Sequence, residues 1–512
     1  MDTRFNFKPV RPRSWITHQI NNHWLALVLL GGLVLFQAYS YYRVVPLSLG
    51  PRVILQPWLM QQGFVPYEQI ADQHSPLMPF LISLFVPLVS DGLRLAKIAL
   101  VVLLTLSTVF TFWAGKRQGG WLVGIVAVFF FVCWSNVFGF GKLWHESFLT
   151  PLYLLFLILY RPSSEKYSLK ILVLLGLISG LGILVKQQAF FVCAAFALWS
   201  VMTRWRNHRP MAEIIFDHGM IVAVAAIPLI LYGIYHYGRA GTLDNLIYWI
   251  FSFNVVSNFA TLAASPPTFS QIVAFAPAFL LIPAALVHAF QLARVGNTEW
   301  EKFGCALILL VASSLGVYPI FANFHLQPIL PILAFLSASM LAQVLTVKKK
   351  QEGESLDNRS FTVGIAMALA LYWTLIGIAS YRSIVQTEQP RTIAEYTDLA
   401  PVADQIRQRI GQQDCVYVFP DDEATANLYY FLHCTPPRFW VFSYPWYMID
   451  SVRQHVLLTL KQEPPSWVVY PVGRSGVETH APDIINFIQA NYQFDSELNW
   501  AQGQVQLLKR RP

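Results

Sequence analysis

The stretch Pro76-Leu77-Met78-Pro79-Phe80-Leu81-Ile82-Ser83-Leu84-Phe85-Val86-Pro87-Leu88-Val89-Ser90 decides the topology of this chain. It is apolar enough to enter a membrane, yet a helical span needs about 20 residues, and three prolines interrupt this one. A short, proline-broken apolar segment predicts an interfacial or re-entrant helix. Eleven other apolar runs predict spans, at 24–42, 93–114, 120–137, 147–160, 169–186, 188–203, 218–237, 271–293, 303–321, 328–347 and 361–381. The composition agrees: of 512 residues 55% are hydrophobic and 12% are charged, against about 25% charged in an average soluble protein.

Charge settles how these runs alternate. With 76–90 excluded as a span, Lys116 and Arg117, Arg161, Lys166 and Lys170, Arg204, Arg206 and Arg209, Arg294 and Lys302, and Lys348, Lys349, Lys350 and Arg359 all fall on the same side as Arg4, Lys8, Arg11 and Arg13. Counting 76–90 as a span would send every cluster after it to the other side. Lys and Arg concentrate in cytoplasmic loops, so the first arrangement is expected, with the N-terminus inside and residues 382–512 outside. The first run follows four basic residues as a signal peptide would, but it is long and lacks a small-residue cleavage site, which predicts an uncleaved anchor.

The expected architecture is therefore a polytopic α-helical membrane part, 1–381, and a small extracytoplasmic domain, 382–512. That tail predicts an α/β fold, with strands at 414–419, 466–470 and 505–508 and helices at 424–433, 448–461 and 482–492. It contains no nucleophile elbow, phosphate loop or zinc spacing, which predicts a binding or scaffolding role. Cys415 and Cys434 lie in it, and outside the cytoplasm a disulfide and two buried thiols are equally open to them. Cys133, Cys193 and Cys305 fall in apolar runs and read as core filler.

The outer loops at 43–92, 138–146 and 238–270 carry the candidate chemistry. In the membrane part only Glu68, Asp72, Asp91, Glu146 and Asp244 face outward. Glu68 and Asp72 are spaced to share a helical face, where like charges can raise one pKa; ordinary solvated acids are the alternative. His145-Glu146 opens a span, where the pair can act as a base or hold a divalent cation, or where Glu146 simply suits a helix N-terminus. Lys186, His325 and Gln327 sit at outer span ends and can bind a phosphate; a snorkelling lysine is the plainer reading of Lys186.

These residues carry a resemblance. Gly63-x-x-Pro66-Tyr67, Asp72-x-His74-x-Pro76-Leu77, Arg94-Leu95, Gly182-x-x-x-Lys186-Gln187 and Pro328-x-x-Pro331, in that order, resemble the polyprenyl-phosphate-sugar-dependent membrane glycosyltransferases of the C-type fold, such as the protein mannosyltransferases and aminoarabinose transferases. In the tail, Leu428-Tyr429-Tyr430, Pro436-Pro437 and Pro464-Pro465-x-Trp467-Val468-Val469 resemble the outer domain of bacterial members. The resemblance implies a bacterial inner-membrane enzyme. It would move a sugar from a polyprenyl-phosphate donor to a glycan, lipid or protein acceptor outside the cytoplasm, with inversion. It implies Asp72, Glu68 or Glu146 as the catalytic acids and Lys186, His74, Arg94, His325 and Gln327 as the donor-phosphate ligands. A divalent cation, if one takes part, falls to His145 and Glu146. Family members usually carry an acid soon after the first span, but here Tyr42 and Tyr67 enclose none, and Leu49-Gly50-Pro51-Arg52 stands at that place. A non-catalytic subunit that binds lipid-linked sugar or a partner enzyme is the second reading. A lipid or sugar transporter is the third, opposed by the lack of an inverted repeat of broken helices.

Overall fold

The computed structural model describes residues 23–89, 91–294, 299–347, 356–386, 399–411, 416–421, 425–473, 476–500 and 503–512. A helix lies over each of the eleven expected runs. They are α1 (His23–Tyr39), α4 (Gly92–Trp134), α5 (His145–Leu159), α6 (Leu169–Val185), α7 (Ala189–Arg206), α8 (Met211–Ala240), α9 (Phe269–Arg294), α10 (Glu299–Ser314), α11 (Leu330–Val347) and α12 (Leu356–Gln386). Ten helices cover eleven runs because α4 breaks at Gly119 and Gly120 into limbs at 92–118 and 121–134. Gly120 has φ +82°, which favours glycine, and a Cβ on Gly115 would lie 2.9 Å from the Gly124 Cα. The limbs thus fold back as a close hairpin, as the two separate runs required. Among the described residues, six helices are long and apolar enough to cross a membrane, while α5 and α6 are shorter.

The deciding stretch forms α3 (Leu77–Phe85) and a 3-10 turn at Val86–Leu88. At 1.5 Å per residue this piece is roughly 18 Å long, too short for a hydrocarbon core of about 30 Å. Leu84, Phe85 and Leu88 are exposed, as a helix lying at a lipid boundary requires. The short α2 (Leu55–Gln61) precedes it. The loop at 238–270 is more ordered than expected, with helical turns at Asp244–Ile247, Phe253–Val256 and Phe259–Leu262.

The C-terminal part carries α13 (Leu399–Ile410), α14 (Leu428–Leu432), α15 (Asp450–Gln462) and α16 (Pro482–Asn491). Eight strands occur along the described chain: β1 (Ser48–Leu49), β2 (Ile70–Ala71), β3 (Lys142–Leu143), β4 (Val416–Val418), β5 (Trp440–Val441), β6 (Trp467–Pro471), β7 (Tyr492–Trp500) and β8 (Gly503–Arg510). The tail sheet runs β4-β6-β8-β7, with β4 parallel to β6 and the β7–β8 hairpin antiparallel. Strand β7 lies where the sequence reading assigns no element. Its run Tyr492-Gln493-Phe494-Asp495-Ser496-Glu497-Leu498 is too polar to signal a strand alone, and it forms by pairing with β8. The Cys415–Cys434 pairing falls on Cys415, outside the described residues, as do the basic clusters at the N-terminus and at 348–350.

Two short ladders position the site. Parallel β1–β3 pairs Ser48 with Lys142 and brings the first loop to Trp144-His145-Glu146. Parallel β2–β5 pairs Ile70 with Trp440 and ties the same loop to the C-terminal part.

Glycine allows one close helix contact. A Cβ on Gly180 would lie 2.3 Å from the Ala225 carbonyl oxygen and 2.5 Å from Pro228 Cγ, so α6 and α8 meet backbone to side chain there. Gly180→Leu is expected to cost about 1–3 kcal/mol by overpacking and to lower the thermal midpoint by several degrees. Gly233→Ala, where added atoms meet nothing within 4 Å, should leave that midpoint unchanged or slightly raised, and scanning fluorimetry in detergent checks both.

Candidate active site

Asp72 is buried and saturated. Its Oδ2 accepts from Arg52 Nε at 2.7 Å and Gln56 Nε2 at 2.8 Å. Its Oδ1 accepts from the His74 backbone N–H at 3.1 Å, shares a 2.9 Å hydrogen bond with His74 Nδ1, and accepts from the Tyr447 hydroxyl at 3.2 Å. A buried carboxylate needs such donors, because its desolvation is otherwise unpaid. Burial alone would raise the Asp72 pKa, but the Arg52 guanidinium and the pull of His74 outweigh it and hold the carboxyl well below its usual range. Burial and the Arg52 charge push His74 down to about 4, against the opposing pull of Asp72. At neutral pH His74 is therefore a neutral imidazole whose Nδ1–H donates to Asp72, which leaves Nε2 as the acceptor nitrogen.

Three segments build this knot. Arg52 and Gln56 come from the start of the first loop, and Gly50 just before them lies where a Cβ would strike the Trp144 ring at 2.3 Å. The guanidinium of Arg52 sits over the Phe442 ring at 4.6 Å and the Trp144 ring at 5.2 Å. Tyr447 arrives from the C-terminal part, stacked on Phe253 of the 238–270 loop at 5.2 Å, and also accepts from the Gln73 backbone N–H. Gln187, at the α6–α7 turn, donates to the Gln73 carbonyl at 2.6 Å.

A second knot lies beside the first. Glu146, in the first turn of α5, is 2% exposed. Its Oε1 takes Lys186 Nζ and His325 Nδ1, each at 2.5 Å, while Oε2 is buried with no hydrogen-bond partner among the described residues. His145 stacks on His74 at 4.9 Å and 18°, which joins the two knots. Two clefts open from them. One is lined by Gln56, Tyr67, Asp72, His74 and Pro76. The other sets Glu146, Lys186 and His325 against Leu149, Tyr153, Val192 and Pro328.

The structure thus brings Asp72, His74, Glu146, Lys186 and His325 together, and it sorts the other candidates differently. Glu68 is only half-buried and accepts from Asn245 Nδ2 at 2.6 Å, turned toward the end of α8 and away from Asp72. The expected shared face of Glu68 and Asp72 is absent, because 68–72 forms a turn and strand β2 in place of a helix. Arg94 is exposed on the first turn of α4, which Asp91 caps, and enters neither knot. Gln327 has spent its amide: Nε2 donates to the carbonyls of Gly139 and Lys142, and Oε1 accepts from Ser147, so it braces the loop. At His145 and Glu146, where a cation is expected, Glu146 Oε1 faces the Lys186 ammonium, and no group of three or more potential metal ligands occurs among the described residues.

Arg52, Gln56 and Tyr447 were not foreseen. Arg52 had a signal, one of two arginines in the loop that carries Asp72, but nothing in the tail sequence marks Tyr447.

This geometry sits in an integral membrane protein with the C-type fold of the polyprenyl-phosphate-sugar-dependent glycosyltransferases, as the sequence resemblance implied. Residues 73–232 match the family model of the dolichyl-phosphate-mannose-protein mannosyltransferases. The structure is similar to ArnT of Cupriavidus metallidurans bound to undecaprenyl phosphate, with TM-score 0.58 and 12% identity over 94% of this chain and 97% of that one. It is also similar to the Archaeoglobus fulgidus oligosaccharyltransferase AglB in complex with an inhibitory peptide and a dolichol-phosphate, with TM-score 0.52 and 12% identity over 97% of this chain and 75% of that one. The arabinofuranosyltransferase AftD from Mycobacteria matches at TM-score 0.50 and 10% identity, over 96% of this chain and 40% of that one. No curated protein matches the chain.

The depressed His74 pKa carries a stability signature. Between pH 6.5 and about 4 the unfolded chain binds a proton that the folded site refuses, so folding stability falls as pH drops through that window. His74→Gln is expected to flatten this fall, measured as the thermal midpoint against pH relative to the unmodified chain.

Proposed function

We propose that this chain transfers a sugar from a polyprenyl-phosphate donor to an acceptor hydroxyl on the extracytoplasmic side of the membrane, with inversion. The observation that carries this reading is the pairing of two unlike clefts through the His74–His145 stack. The Lys186–His325 cleft has cationic and donor groups at one end and apolar walls behind them, which suits a phosphate on an isoprenoid chain. The Asp72–His74 cleft offers a proton acceptor, with Asp72 fixing the imidazole tautomer.

In the reaction the acceptor oxygen attacks the anomeric carbon as the bond to the phosphate oxygen breaks. The proton passes to His74 Nε2, and polyprenyl phosphate leaves with the electron pair, stabilised by Lys186 and His325. One in-line displacement inverts the anomeric centre. Glu146 holds Lys186 and His325 at its Oε1 until the phosphate takes over their donors. In the same reading the eleven runs all span the membrane, the N-terminus is cytoplasmic, and residues 382–512 form an outer domain on a bacterial inner membrane. The positive-inside distribution supports this orientation.

The saturated state of Asp72 favours a second reading, a non-catalytic relative that binds lipid-linked sugar for a partner enzyme. Turnover separates the two. Purified full-length chain, given a mixture of polyprenyl-phosphate sugars and a membrane-lipid acceptor fraction, should release polyprenyl phosphate. His74→Ala should slow that release about 10²-fold or more, the scale of a lost general base. Asp72→Asn should slow it as well, and Lys186→Ala should weaken retention of polyprenyl phosphate. Retention without turnover would establish the second reading, and unchanged turnover in His74→Ala would exclude it as the base.

A further inference from the structure

At the far end of the bundle a second cleft is lined by Ala114, Arg117, Gln118, Leu157, Tyr160, Lys302 and Phe335. Tyr160 closes the helix that Glu146 opens, about 21 Å away at 1.5 Å per residue, so this cleft lies well apart from the two knots. Its chemistry is divided. Arg117 and Gln118 are half-buried, and among the described residues neither side chain has an ion-pair or hydrogen-bond partner. Lys302 adds a second cation, shared with Glu299 at 3.1 Å, so Arg117 carries the uncommitted charge. Ala114, Leu157 and Phe335 supply the apolar part of the lining.

The neighbouring side chains mark the depth. Lys116 lies 4.3 Å from the Trp113 ring centroid and 3.7 Å from that of Trp121, across the hairpin of α4. Tryptophan and a lysine held by its ring faces gather at the membrane–water boundary, the level of lipid phosphates. A half-buried guanidinium and amide at that level, with apolar atoms in the same lining, match a phosphodiester joined to acyl chains.

We infer that the Arg117–Gln118–Lys302 cleft is a binding site for an anionic glycerophospholipid headgroup, separate from the transfer site. Arg117 grips the phosphate, Gln118 and Lys302 donate to its oxygens, and Ala114, Leu157 and Phe335 meet the first carbons of the acyl chains. The site would tether this face of the bundle to anionic lipid whether or not the chain turns over sugar.

Native mass spectrometry of delipidated full-length chain in detergent tests this, with phosphatidylglycerol and phosphatidylcholine of matched chains as probes. Phosphatidylglycerol should bind in preference, and Arg117→Ala should weaken it roughly five-fold, the scale of one cation at a membrane surface. Arg117→Lys should restore part of that affinity and so exclude misfolding as the cause. Arg94→Ala removes the same charge at the exposed far end of the same limb and should leave binding unchanged. Equal binding of the two lipids, no loss in Arg117→Ala, or an equal loss in Arg94→Ala would overturn the site. Displacement of the lipid by millimolar inorganic phosphate would overturn the lipid assignment in favour of a free-anion site.

Discussion

The burial of one carboxylate organises this molecule. Asp72 sits buried at the junction of the first loop, the 238–270 loop and the C-terminal part, and such a charge is tolerable only with its donors in place. Arg52 and Gln56 supply one oxygen, and His74 and Tyr447 the other. If any of these segments moved away, the charge would be left without compensation. The β2–β5 ladder and the stacking of Tyr447 on Phe253 are the packing that keeps the donors home. The C-terminal part is thus more than a scaffold, because it lends a hydroxyl to the site.

The second carboxylate is treated differently. Glu146 gives one oxygen to Lys186 and His325 and keeps the other bare. Where Asp72 is locked by five donors, Glu146 holds two, which in the proposed reaction pass to the donor phosphate. The first loop places Arg52 against Asp72, and that arginine neutralises the carboxylate.

Much of the fold was legible in the chain itself. Each long apolar run became a helix, since a chain in lipid must satisfy its backbone internally. The proline-broken stretch at 76–90 stayed short, as its composition required. The tail was legible in part: the helices and the strands near 416, 467 and 505 follow their patterns, but β7 does not. Its residues are mostly polar, and it becomes a strand because β8 offers a ladder, a nonlocal reason absent from its own sequence.

The sequence by itself determined that this is a helical membrane protein and which family its motifs resemble, because hydropathy and motif spacing are local properties. Only the tertiary structure decided that Asp72 and Glu146 belong to the site while Glu68 turns toward Asn245 and Arg94 stays exposed. Only it spent Gln327 on backbone carbonyls and brought Tyr447 across 375 residues to Asp72. Those outcomes depend on which donors meet a buried charge in space, and no local pattern encodes that meeting.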